Sequence, residues 1–183
     1  GQISIISSDD GINAAGGNDG SSFNRPGANN FSTSSDVYIN INGGSITIDA
    51  SGDGIDSNGN LNVSGGTIIV YGPTNNGNGA LDYDGASSII GGILCAIGYS
   101  GMAMNFKTST QGSILYNTNT TYNAGTKISL SGSDEIFNIT SKKAFNSVVI
   151  STPDIVLGSY TLTINTDSYT INLTSLLYSN STG

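Results

Sequence analysis

Three ten-residue stretches, "NGGSITIDAS" (42–51), "SGGTIIVYGP" (64–73) and "IGGILCAIGY" (90–99), align without gaps on a pair of glycines. "QGSILYNT" (111–118) fits the same frame more weakly. The second glycines are Gly44, Gly66, Gly92 and Gly112, spaced 22, 26 and 20 residues apart. The opening "GQISIISSDDGIN" matches "GSITIDASGDGID" at an offset of 43, about two periods. A period this short makes each repeat one supersecondary unit. Such a unit buries its apolar side only by stacking on a neighbour.

A second alternating run precedes each glycine pair: "VYININ" (37–42), "LNVS" (61–64) and "SSII" (87–90). A third segment, such as "GIDS", follows. Three short alternating strands in about 22 residues, with Asn and Gly at the corners, predict one coil of a parallel β-helix. Alternation points Ile3/Ile5, Ile46/Ile48, Ile68/Val70 and Leu94/Ala96 inward. It points Ser4, Thr47, Ile69 and Cys95 outward, together with Ile6, Asp49, Tyr71 and Ile97. No long 3.6-residue apolar pattern is present, so helix is expected to be minor.

Two regions interrupt the frame. Residues 14–36 form a Gly/Asn/Ser-rich insertion. After about residue 125 the glycine corners fade, and "YTLTINTDSYTINL" (160–173) reads as a β-hairpin about Thr166–Ser168. That hairpin is expected to cap an open end of the stack, where a sheet edge is otherwise exposed. The chain is thus read as one all-β domain over 1–183. It has coils over 1–125 and C-terminal coils with a cap over 126–183. Gly1 aligns with the second glycine of a corner, which leads us to expect either further coils upstream or another element covering that end.

The net charge is −8, and it lies wholly in residues 1–85, which hold nine Asp against Arg25. Residues 86–183 are neutral. Nucleic acid and anionic membrane need basic patches, so both are excluded as expected partners. A membrane span of about 20 apolar residues is also absent from the sequence. With no His and one Cys, zinc is disfavoured and no internal disulfide is available.

The acidic residues follow the repeat. In register, the third segments are "DDGIN" (9–13), "GDGID" (52–56) and "GNGALDYDG" (77–85). Asp10 aligns with Asp53, and Asn13 aligns with Asp56 and Asp82. Asp9 and Asp84 are additional. Neighbouring coils stack at about 4.8 Å, so aligned carboxylates repel unless a cation intervenes. Carboxylates, Asn amides and backbone carbonyls are the ligands of a hard divalent cation. The ladder is therefore read as a calcium (Ca²⁺) site or row of sites. A Gly-rich phosphate loop and an EF-hand spacing are both missing.

"SSDDGINAAGGNDGSS", "NGGSITIDASGDGIDSNGNLNVSGGTIIVYGPTNNGNGALDYDG" and "GGILCAIGYSGMAM" closely resemble a family of bacterial surface carbohydrate-binding domains. The resemblance covers about residues 1–105, and "SKKAFNSVVISTPDIVLGSYTLTI" is similar to the family's C-terminal part. It implies a right-handed parallel β-helix like that of the polysaccharide lyases. It also implies calcium at Asp9, Asp10, Asp53, Asp56, Asp82 and Asp84, and plant polysaccharide, either cellulose or acid sugar such as pectate, as the partner.

Catalysis is not expected. Uronate lyases on that fold use a Lys or Arg beside the metal, whereas all four lysines lie at or beyond Lys107. Glycoside hydrolysis needs two free carboxylates about 5–9.5 Å apart, and carboxylates committed to calcium are not free. Sugar binding uses aromatic platforms beside polar groups. Tyr71, Tyr83 and Tyr99 in the repeat turns, Asp49 in the outward column of Tyr71, and Arg25 in the insertion are the candidates. The alternative for Ile6, Tyr71 and Ile97 is an outer apolar stripe covered by the C-terminal segment. The expected protein is secreted or at the cell surface, non-catalytic and polysaccharide-binding. The competing expectation is a structural subunit of a surface filament or adhesin, a homo-oligomer joined through its ends.

Overall fold

A computed structural model describes residues 1–15 and 36–180 of the chain. The fold is all-β, and one 3₁₀ turn, Ser100–Met102, is the sole helical element among the described residues. The repeat region contributes β1 (Gln2–Ser7), β2 (Ile12–Ala14), β3 (Tyr38–Ala50), β4 (Ile55–Ser57), β5 (Asn60–Tyr71), β6 (Leu81–Tyr83), β7 (Ser87–Ile89), β8 (Ile93–Gly98) and β9 (Thr108–Ser109). The remainder contributes β10 (Gly112–Tyr122), β11 (Lys127–Ser131), β12 (Glu135–Thr140), β13 (Phe145–Thr152), β14 (Gly158–Ile164), β15 (Asp167–Leu173) and β16 (Leu177–Ser179).

The repeat frame is the strand register. Strands β1, β3, β5 and β8 pair in parallel, with Ile3, Ile46, Ile68 and Leu94 in one column and Ile5, Ile48, Val70 and Ala96 in another. From β3 onward these side chains are buried, and they form one core with Ile39, Ile41, Leu61, Val63 and Ile89. Each fully buried Ile or Leu contributes about 1.5–3 kcal/mol relative to exposure. The glycine pairs do not break β3 or β5; each strand runs continuously through its pair. Gly66 holds φ at +96°, and a Cβ there would meet the backbone of Gly43 and Gly44 at 2.8–2.9 Å. Glycine is required because the chain bends at positive φ while pressed against the preceding rung.

The weak fourth repeat departs from the frame. β10 does not pair with β8. Strand β13 lies between them, antiparallel to both. The physical reason is visible in the sequence of β13, "FNSVVIST", which supplies Val149 to the first core and Val148 and Ile150 to a second. A strand apolar on both faces suits this shared position.

The C-terminal hairpin is present, with its turn at Asn165–Thr166, one residue earlier than expected. Asn165 has φ of 55°, a conformation Asn tolerates. The hairpin strands β14 and β15 join β11 and β12 in a four-stranded antiparallel sheet. That sheet packs on the outward side of the long sheet rather than standing over an end. Its Ile128, Leu130, Leu162, Ile164, Ile171 and Leu173 form the second core with Tyr71, Cys95 and Ile97. The outward stripe is therefore covered at Tyr71 and Ile97. At Ile6, 87% exposed, it is not.

Candidate metal centre

The third segments form a separate three-stranded parallel sheet, β2–β4–β6. Its register places Ile12, Ile55 and Leu81 in one column and Asn13, Asp56 and Asp82 in the next. Alternation turns the apolar column into the first core and leaves the polar column outside. Gly54 lies against the Val70 side chain and the Ala80 carbonyl, with no room for a Cβ. Asp53 precedes this glycine and Asp56 follows two residues later.

Asp10 and Asp53 each bind the neighbouring rung. Asp10 Oδ1 accepts the N–H of Asp53 at 2.8 Å, and Asp53 Oδ1 accepts the N–H of Gly79 at 2.5 Å. Asn13 Nδ2 donates to Asp10 Oδ2 at 2.8 Å and to Asp56 Oδ2 at 3.0 Å. Asp10, Asp53 and Asp56 each offer an oxygen, and the three lie within 4.8 Å of one another.

The crowding raises the carboxyl pKa values. Burial, then the charges of Asp53, Asp10, Asp82 and Asp84, pushes Asp56 up to about 7. Burial is also the largest cause at Asp53; the Gly79 N–H opposes it, the charges of Asp82, Asp10 and Asp9 add to it, and the result is about 6. Asp82 is raised by burial and by Asp84, against a backbone hydrogen bond from Tyr83. A positive charge at this position would oppose all three shifts. The atoms able to coordinate a cation here are all oxygens, which suits calcium or magnesium and does not suit zinc.

The ladder expected from sequence thus converges on Asp10, Asp53 and Asp56, with Asn13 bridging and Asp82 in the adjoining rung. Asp9 and Asp84 are exposed and reach the cluster through their charge alone.

The expected sugar-binding residues do not gather. Tyr71 is buried in the second core, and Tyr83 is 4% exposed with its hydroxyl donating to the Asn105 carbonyl. Neither ring is available as a surface platform, because each fills space beneath a later segment. Lys142 stands 5.4 Å from the Tyr71 ring centre and Lys107 stands 5.1 Å from that of Tyr83. Asp49 is engaged by Lys143 at 3.3 Å, and the same ammonium donates to the Ala50 carbonyl at 2.5 Å. Tyr99 is partly exposed beside the 3₁₀ turn. Arg25 and most of the insertion lie outside the described residues.

Sequence reasoning passed over a tyrosine group in the C-terminal half, Tyr116, Tyr122, Tyr169 and Tyr178 with Asp167. No repeat links these residues: the pairing of β10 with β16 brings in Tyr178, and side-chain contacts between the two sheets bring Tyr169 and Asp167 to Tyr116 and Tyr122. No protein-family model, curated protein or solved structure matches this chain.

Proposed function

We propose that the chain is a right-handed parallel β-helix that binds calcium at Asp10, Asp53 and Asp56 and binds polysaccharide without catalysing its cleavage, secreted or at the cell surface. The observation that carries the metal reading is the convergence of three carboxylates within 4.8 Å, two of them with pKa values raised to about 6 and 7. Calcium coordinates oxygens at about 2.3–2.6 Å and relieves such repulsion. Rotation of the Asn13 amide would present its oxygen as a further ligand, with Asp82 at the next rung. The parallel ladders sharing one glycine frame support the β-helix reading. The polysaccharide reading rests on the resemblance of the repeats to surface carbohydrate-binding domains.

Thermal melting with calcium and with chelator tests the metal, and co-sedimentation with pectate and cellulose tests the partner. A melting temperature indifferent to calcium would remove the metal assignment. Loss of sedimentation on both polymers would remove the sugar.

A structural role is the second reading, and one observation favours it. Strand β1 is paired on one side among the described residues, and it exposes Ile3 at 51% and Ile6 at 87%. An open edge of this kind takes up another strand by β-augmentation. A monodisperse monomer by light scattering at high concentration would exclude it.

A further inference from the structure

Away from the carboxylate ladder, three partly exposed tyrosines rim the second core: Tyr116 on β10, Tyr169 on β15 and Tyr178 on β16. The Tyr116 and Tyr169 ring centres are 4.8 Å apart, tilted by 38°. Tyr178 pairs in register with Ile114, two residues from Tyr116 on the adjacent strand. The Tyr116 hydroxyl has its pKa raised by burial and then by its neighbours Tyr178 and Tyr169.

The group is held rigidly from below. Tyr122 stacks on the buried Phe145 at 5.5 Å, and its hydroxyl donates to Asp167 Oδ2 at 2.6 Å. With that proton committed, the Tyr169 hydroxyl is the donor in its 2.6 Å contact with Tyr122. Strand β16 is clamped to β10 by Asn180, whose side chain accepts the Asn117 N–H and donates to the Asn117 carbonyl, each at 2.7 Å. Rings fixed before binding lose little entropy when a ligand arrives.

We infer that Tyr116, Tyr169 and Tyr178, with Asp167 beside them, form a binding platform for a neutral pyranose chain. Tyrosine offers a flat apolar face and a polar tip, which matches a sugar whose ring faces carry C–H groups and whose rim carries hydroxyls. A glucose-type ring with equatorial hydroxyls presents two such faces. The charge selects against acid sugars. Among the described residues, no salt bridge or cation–π contact places a Lys or Arg on these tyrosines or on Asp167. Asp167 is exposed, accepts hydroxyl hydrogens and repels a uronate. The inference rests on the polysaccharide reading and names, for one surface, the neutral class.

The test is a titration of the full chain with cellohexaose and with hexagalacturonate, in chelator, followed by tyrosine fluorescence and by NMR. Chelator removes any bridging through a cation, so the two readings separate. Expected is cellohexaose binding that Tyr178→Ala weakens at least about tenfold, that Tyr178→Phe retains, and that hexagalacturonate does not share. Tyr178 sits on a short edge strand at the margin of the second core, so its truncation is expected to lower the melting temperature only modestly and leave the chain folded at the titration temperature. Tyr116→Ala is the second variant and is expected to weaken binding alike. Absence of cellohexaose binding, parental affinity in both alanine variants, or binding of a proline-rich peptide in place of sugar would overturn the platform. Calcium-dependent pectate binding that survives any of these results would leave the metal reading standing.

Discussion

Asp10 binds the backbone of Asp53: its Oδ1 accepts the Asp53 N–H at 2.8 Å across two consecutive rungs. Its Oδ2 accepts from Asn13 Nδ2 at 2.8 Å, so both carboxylate oxygens have structural partners while the negative charge remains beside Asp53 and Asp56. The two roles separate by substitution. Asp10→Asn retains an acceptor for the N–H but removes the charge and sets an NH2 against the Asn13 amide nitrogen, whereas Asp10→Ala removes the charge and both acceptors. In chelator at pH 8, urea unfolding should find the Ala variant less stable than the Asn variant by about 1–3 kcal/mol, the cost of leaving the half-buried Asp53 N–H without its acceptor. Both should lose most of the calcium-induced rise in melting temperature.

The carboxyl shifts set a pH dependence whose sign is opposite to that of most acidic groups. Asp53 and Asp56 have folded-state values of about 6 and about 7, above the ordinary value of 3.8. Their contribution to stability is complete below the ordinary value and is lost as pH rises through 6 and 7. In chelator, the melting temperature should fall between pH 5 and pH 8. Calcium at a hundred times its dissociation constant adds about 2.7 kcal/mol, or roughly 5–10 °C for a chain of this size. That gain should be larger at pH 8 than at pH 5, because protons compete for the same oxygens. Differential scanning calorimetry at the two pH values measures both effects.

Gly66→Ala should be costly although it adds one methyl. The residue holds φ of +96°, and its Cβ would meet the Gly43 and Gly44 backbone below 3.0 Å. The left-handed conformation alone costs about 1–2 kcal/mol, and the backbone overlap adds to it. Gly125→Ala is the control: it also has positive φ, but its Cβ would meet nothing within 4 Å. Denaturant unfolding should rank Gly66→Ala as the more damaging of the two.

Ile6 and Ile97 occupy the same outward column of the long sheet, linked through Asp49 and Tyr71. Ile97 is 1% exposed and Ile6 is 87% exposed. Ile97→Ala should destabilise by about 2–5 kcal/mol through the cavity it leaves. Ile6→Ala should stay within about 0.5 kcal/mol of the parent. Similar losses from both would mean that Ile6 is covered in solution, as the filament reading requires.

Much of the fold and the heart of the candidate site are legible in the residues alone. Backbone ladders between parallel strands join equivalent positions, so a chain that repeats its glycine corners announces its register. This is why Asn13, Asp56 and Asp82 align by repeat and also stand side by side in the β2–β4–β6 sheet. Alternation likewise separates the inward isoleucines from the outward column. What only the tertiary structure decided depends on segments that no repeat connects. The insertion of β13 between β8 and β10 displaced the fourth repeat. The second sheet then buried Tyr71 and Ile97 and left Ile6 bare. Lys143 reached Asp49 and the Ala50 carbonyl, 93 positions away in the second case, and Tyr122 met Asp167 across 45. The sequence determined which residues share a column, because local periodicity enforces it. Which columns face water was left to long-range packing, because apolar side chains on a strand bury themselves against whatever second surface the rest of the chain supplies.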